Sequence, residues 1–329
     1  MTSVKLPHRR HFLHLAVGAA ALPAMPRIAS ALDYPTRPVR IVVGFPAGGS
    51  ASDIVARLLS QWLTERLGQQ FIVENKPGAA SNIATESVVK ASPDGYSLLL
   101  VTPPNTFNAT LYDNLSFNFI RDISPIAGTI RVPYVMVVNQ SVPAKTVPEF
   151  IAHAKANPGK INVASGGIGS TPHVAGELFK MMTGVNLVHV PYPRGSFYPD
   201  LLGGEVQVAF SPTIASIEFI RTGKLRALAV TTTMRSETLP DVPTVGESVP
   251  GYEASGWLGV GAPRNTSSDI IEKLNKEINA GINDPRLGAK FAEIGGIPFA
   301  GSPGDFGKLI VDETEKWAKV IKFANIKPE

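Results

Sequence analysis

The sequence predicts an α/β fold of two lobes, each built on a mixed, mainly parallel sheet covered by helices. Two observations carry the prediction. After Pro38, short β-branched runs alternate with longer segments of helical period, the pattern of strands joined by crossover helices. The strand-like runs are too many for one comfortable sheet, and 329 residues suffice to bury two cores.

In chain order, strands are predicted over 39–45, 71–74, 98–101, 134–138, 161–164, 187–190, 206–210, 225–231 and 257–261. The first helix is predicted over 53–67: Ile54, Val55, Leu58, Leu59, Trp62 and Leu63 share a stripe, and Gly68 supplies the stop. Thr146 with Glu149, Thr266 with Asp269 and Ser302 with Asp305 have the spacing in which side chains satisfy orphan amides at a helix start. The last of these opens an amphipathic helix to residue 323.

No tandem repeat, low-complexity tract or long linker divides the chain, so a second lobe has to be inserted in the first. Extended stretches at 137–141 and 251–255 are the predicted crossovers. They assign 32–138 and 254–329 to lobe one and 139–253 to lobe two.

Composition excludes several classes of function. The absence of cysteine removes disulfides, thiolate metal sites and a cysteine nucleophile. The formal charge of +4 belongs to the N-terminus, where Lys5, Arg9, Arg10 and Arg27 are the only charges before Asp33. Removing those four from the 31 Lys and Arg leaves 27 basic residues against 27 acidic ones. That balance carries no footprint for nucleic acid or an anionic membrane.

The basic start runs into an apolar stretch at 12–22 and then Ala29-Ser30-Ala31, a small-x-small cleavage pattern, so residues 1–31 read as a cleaved export signal. Eleven residues interrupted by His14 are too few to anchor across ~30 Å of hydrocarbon. Arg9-Arg10 also fits a twin-arginine signal, which leaves both export routes open. No later run reaches membrane-spanning length, so a soluble periplasmic product without direct membrane insertion is expected.

Two glycine-rich turns stand out. Phe45-Pro46-Ala47-Gly48-Gly49-Ser50-Ala51-Ser52-Asp53 joins a strand end to a helix start, where inward amides and the positive helix end favour an anionic oxygen. It lacks the lysine of a nucleotide P-loop and the three-glycine spacing of a dinucleotide turn. The alternative is a tight turn whose glycines serve backbone geometry alone. The same arrangement recurs at 164–173, where Gly169, Ser170, Thr171 and His173 open a helix, with Thr171 as cap and Pro172 at its first position. Two such turns on opposite lobes would grip the two ends of a small carboxylate.

Asp53 would repel such a ligand, and its position in the first turn of a helix with Arg57 one turn on suits a structural role. Holding the loop or a ligand hydroxyl or amine is the alternative. His173 is either a donor to the acid or an ordinary polar residue, and Arg194 either a carboxylate partner or a solvent-facing loop arginine. The sequence offers no nucleophile elbow and no metal-binding spacing. Of the later histidines, His153 falls mid-helix and His189 alternates with Val188 and Val190 in a strand, as surface and core residues do. No catalytic residue, metal or cofactor is assigned.

Several stretches, in this order and spacing, carry a resemblance over nearly the whole chain after the signal. They include Pro38-Val-Arg-Ile-Val-Val-Gly-Phe-Pro-Ala-Gly-Gly, Val73-Glu-Asn-Lys-Pro-Gly-Ala, Pro93-Asp-Gly-Tyr-Ser-Leu-Leu, Gly223-Lys-Leu-Arg-Ala-Leu-Ala-Val-Thr and Trp257-Leu-Gly-Val-Gly-Ala-Pro. The chain resembles the periplasmic solute-binding receptors of tripartite tricarboxylate transporters, the Bug family. The resemblance implies a type II periplasmic-binding-protein fold that closes on a small organic carboxylate held mainly by backbone amides. Carried over by motif, it points to Phe45, Pro46, Ala47, Gly48, Gly49, Ser50 and Asp53 in one lobe and to Gly169, Ser170, Thr171 and His173 in the other. Thr102 and Asn105, after the strand at 98–101, are further candidates.

The sequence departs from the family where Pro193 separates Tyr192 from Arg194, where bulky Phe197 and Tyr198 follow, where Ser211 replaces a frequent aspartate, and where Ala80-Ser81 replaces a frequent glycine pair. These departures point toward a more apolar or aromatic acid. The resemblance implies a non-enzymatic, monomeric receptor serving a permease with a large and a small subunit. A receptor for a sensor kinase and an exported enzyme acting on a carboxylated substrate are the competing readings.

Overall fold

The computed structural model describes residues 34–48, 50–193 and 196–328. The predicted export signal, Gly49 and Arg194 lie outside the described residues. The strands are β1 (Val39–Val43), β2 (Phe71–Asn75), β3 (Ser97–Val101), β4 (Ile123–Val132), β5 (Tyr134–Asn139), β6 (Ile161–Ser165), β7 (Leu187–Pro191), β8 (Val208–Pro212), β9 (Leu225–Val230), β10 (Gly256–Pro263) and β11 (Ile297–Pro298). The α-helices are α1 (Ala51–Leu67), α2 (Asn82–Val89), α3 (Pro103–Leu111), α4 (Phe119–Asp122), α5 (Val147–Ala156), α6 (Thr171–Thr183), α7 (Tyr198–Gly203), α8 (Thr213–Arg221), α9 (Ser268–Ile282), α10 (Pro285–Glu293) and α11 (Pro303–Ala324).

The strands form two sheets, ordered β11-β4-β10-β3-β1-β2 and β7-β6-β8-β5-β9. In the first, β1 runs parallel to β2 and β3, while β10 lies antiparallel between β3 and β4. In the second, β6 runs parallel to β7 and β8, and β5 is antiparallel to β8 and β9. Every residue of β3 and β10 is buried, which is why these central strands read as continuous apolar runs.

β4 and β11 are missing from the sequence reading. Pro125 and Gly128 disguise β4, and its pairing with β10 shifts register twice. Such bulges accommodate residues that an unbroken ladder resists. A side chain at Gly128 would collide with the ring of Phe299, so glycine is required there for the close approach.

Register shows which edges meet. β3 ends at Val101, opposite Gly259 near the start of β10, and the first residue of β10, Gly256, pairs with Val132 at the end of β4. In the second sheet, Pro212 at the end of β8 pairs with Tyr134, the first residue of β5. The outgoing ends of the parallel strands of both sheets therefore converge on one seam, where the chain passes from Val132 through Pro133 to Tyr134.

This corrects the first crossover: 137–141 starts inside β5, hydrogen-bonded within the second sheet, and the passage lies at Pro133 instead. Residues 251–255 directly precede β10. The final helix also departs from a simple division at residue 254. Phe306 and Ile310 of α11 pack with Val42, Leu99 and Trp257, whereas Trp317, Val320 and Ile321 pack with Met136, Phe179 and Phe210 of the other lobe.

Most helix ends follow their chemistry. Gly68 closes α1 in the left-handed conformation, Thr146 caps α5, and Ser302 with Asp305 forms a reciprocal capping box on α11. Two caps shift by one residue: Ser170, not Thr171, caps α6, and Ser267, not Thr266, precedes α9. The Thr266 hydroxyl instead donates to the carbonyl of Pro263 at 2.7 Å.

Candidate ligand-binding site

The β1–α1 turn is organised by Asp53. Its Oδ2 accepts from the Gly48 amide at 3.0 Å and from Arg57 Nε at 2.9 Å; its Oδ1 accepts from Arg57 Nη2 at 3.1 Å and from Asn75 Nδ2 at 2.9 Å. Asn75 also donates to the carbonyl of Phe45 at 2.9 Å, tying the loop to β2. Burial alone would raise the Asp53 pKa, but the donors and the Arg57 charge outweigh it and hold the carboxyl at about 2. The carboxylate is thus ionised, neutralised and fully engaged within the loop. Ser50 accepts the Asp53 amide at 3.1 Å, while the amides of Ser50, Ala51 and Ser52 make no hydrogen bond to any described residue. Pro46, Ala47 and Gly48 are exposed, and Phe45 is half-buried.

The β6–α6 turn has the same plan. Ser170 accepts from the His173 amide at 3.4 Å, and His173 Nδ1 accepts from the Gly169 amide at 3.1 Å. The His173 ring stacks on His189 with centroids 3.7 Å apart and planes 12° apart, and His189 Nε2 meets Ser165 Oγ at 2.6 Å. Burial, reinforced by the neighbouring ring and Lys180, lowers His173 to about 3. Burial and Lys180 lower His189 to about 4. Both imidazoles are therefore neutral at pH 7, which the acceptor role of His173 Nδ1 requires. The Thr171 amide has no partner among the described residues.

The remaining candidates are engaged by the protein itself. The Thr102 amide donates to Asn105 Oδ1 at 2.7 Å, and Asn105 Nδ2 donates to Thr85 at 2.9 Å. Ser211 is fully buried in a hydroxyl trio with Tyr198 at 2.5 Å and Ser216 at 2.8 Å. Phe197 and Tyr198 stack in a cluster with Tyr192 and Phe219. Gly48 and Gly169 have their amides committed to Asp53 and His173, so those two donors are closed to a ligand.

Sequence reasoning missed three supports of these turns. Asn75 reaches Asp53 from β2, 22 positions on, and the period-two pattern around His189 reads as core. The third is a turn in which Ala79, Ala80 and Ser81 all have positive φ, at 45°, 48° and 75°. Ser81 lies so close to Gly44 that a side chain there would collide with it, and Asn108 Nδ2 holds the carbonyl of Ala80 at 2.8 Å. Two surface grooves, one between α1 and α10 and one beside α11, lie away from the seam.

Across the seam the lobes touch where Leu111 of α3 reaches within 3.2 Å of the space beside Gly169. Two α/β lobes with polar strand-to-helix turns converging on a double crossover define a two-lobed solute-binding protein of the periplasmic-binding type. Residues 55–326 match the tripartite tricarboxylate transporter family receptor. Protein BugT of Bordetella pertussis (strain Tohama I) is 36% identical over 297 residues, covering 89% of this chain and 91% of that one. Among solved structures, R. palustris Rpa4515 with adipate is 38% identical at a TM-score of 0.76, covering 90% of this chain and 100% of that one. MatC (Rpa3494) from Rhodopseudomonas palustris with bound malate is 27% identical at 0.72, covering 88% and 100%. The chain belongs to the tripartite tricarboxylate transporter receptor family.

Proposed function

We propose that the protein is an exported, non-enzymatic receptor that closes over a small organic carboxylate at the seam and hands it to a permease with a large and a small subunit. The observation that carries this reading is the amides at the starts of α1 and α6, on either side of the crossover, that have no hydrogen-bond partner among the described residues. Charge supports it: Asp53 is cancelled by Arg57, Glu177 beside His173 is cancelled by Lys180, and His173 and His189 are neutral, so these groups leave neither edge with a net negative charge to repel an anion. Solved relatives containing adipate and malate support a dicarboxylate.

A charge-assisted hydrogen bond contributes roughly 1.5–3 kcal/mol, and four or five yield about micromolar affinity once ordering costs are included. Closure follows from contacts made only when both edges hold the ligand. Mass spectrometry of small molecules released from gently purified protein, followed by calorimetry with those hits, adipate and malate, tests the reading. An unaltered acid bound one to one is expected, with affinity falling at least tenfold in Ala51→Asp, which sets a negative charge among the open amides. Conversion of the acid, or undiminished affinity in that variant, would count against it.

A further inference from the structure

We infer that Glu313 is a positioning residue for ligand capture, the joint through which α11 couples both lobes at the return crossover. Its Oε2 accepts from the indole of Trp257 at 3.2 Å and from the indole of Trp317 at 2.7 Å. Trp257, at the start of β10, belongs to the lobe-one packing and lies edge-on to Phe306. Trp317 belongs to the other core, edge-on to Phe107. One carboxylate oxygen thus joins one tryptophan from each core.

The other oxygen pairs with Lys316, which also holds Glu253 at 2.8 Å. Glu253 lies in the return crossover, where it accepts the Ser255 amide at 3.1 Å and the Ser255 hydroxyl. The clamp is therefore continuous from β10 through α11 to the crossover. Glu313 is only 5% exposed, and a carboxylate so buried needs every one of these donors to offset lost hydration. Apolar residues of similar volume would fill the space without that cost, so the arrangement contributes direction rather than burial. The outgoing passage is a single residue, Pro133, between β4 and β5. The return crossover and α11 move as one body, and the lobes swing about Pro133 from a resting angle set by Glu313.

This inference rests on the reading of a closing receptor, and its test is chosen to work without ligand. The chain has no cysteine, so spin labels at Lys90→Cys just past the end of α2 and Lys155→Cys on α5 report the distance between lobes by pulsed electron resonance. In Glu313→Gln and in Lys316→Met the ligand-free distance distribution should broaden, while Lys308→Met on the same helix leaves it unchanged. Adipate affinity should fall about fivefold or more in the two clamp variants. Distributions superimposable on the parent in the folded clamp variants would overturn the inference. Failure of adipate to bind the parent would count against the carboxylate reading only, and the distance measurement would still decide this one.

Discussion

In lobe one the third residue of α1, Asp53, reaches back to the amide of Gly48; in lobe two the third residue of α6, His173, reaches back to that of Gly169. Both helices are capped by serine, Ser50 and Ser170. A side chain at this position has to accept a hydrogen bond, and the two lobes meet that need differently. Asp53 is an acceptor because it is ionised, and it needs Arg57 and Asn75 to contain its charge. His173 is an acceptor because burial keeps it neutral, and it needs a stacking partner rather than a counterion. Either route leaves the turn's own acceptor without net charge, as the proposed carboxylate site would require of both edges.

The largest effect that would break the parallel is expected from Asp53→Ala. It strips the Gly48 amide, Asn75 and Arg57 of one shared acceptor and should cost about 3 kcal/mol in urea unfolding, with Arg57 half exposed and partly rehydrated. His173→Ala should cost less, about 1–2 kcal/mol, because one neutral amide loses its partner.

Acid titration separates the two further. Asp53 ordinarily titrates near 3.8, so its contribution is complete above that value and is lost as pH falls through about 2. The unfolded chain protonates His173 and His189 near 6.5, so their contribution is complete above that pH and declines as pH falls toward about 3 for His173 and about 4 for His189. Hydrogen exchange should therefore show the Gly169 turn loosening at a higher pH than the Gly48 turn. Simultaneous loosening would mean that the histidines are not held neutral.

Ser50→Ala and Ser170→Ala should each cost about 1 kcal/mol and match one another, since the caps do the same work in both lobes. The smallest change is a gain. Ala80→Gly should stabilise lobe one by up to about 1 kcal/mol in thermal unfolding, because glycine adopts φ 48° without the steric penalty of a Cβ.

The strands and helices with unbroken apolar periodicity were legible in the sequence, as was the placement of polar turns after β1 and β6. β4 was not, because Pro125 and Gly128 make sense only beside the bulged partner β10. The pairing of Asp53 with Arg57 was accessible from one helical turn of spacing, whereas Asn75 required the position of β2. His189 looked like core because alternation reports which face a residue occupies and not what it stacks on. The commitment of the Gly48 and Gly169 amides was hidden for the same reason: glycine in a turn announces conformational freedom, not which donor remains open.

Helix α11 completes the interior of both halves, with Phe306 and Ile310 in one and Trp317, Val320 and Ile321 in the other. Neither half can then be excised as a self-sufficient module. During synthesis both interiors stay open until the segment that forms α11 has emerged, so their final consolidation waits for that helix.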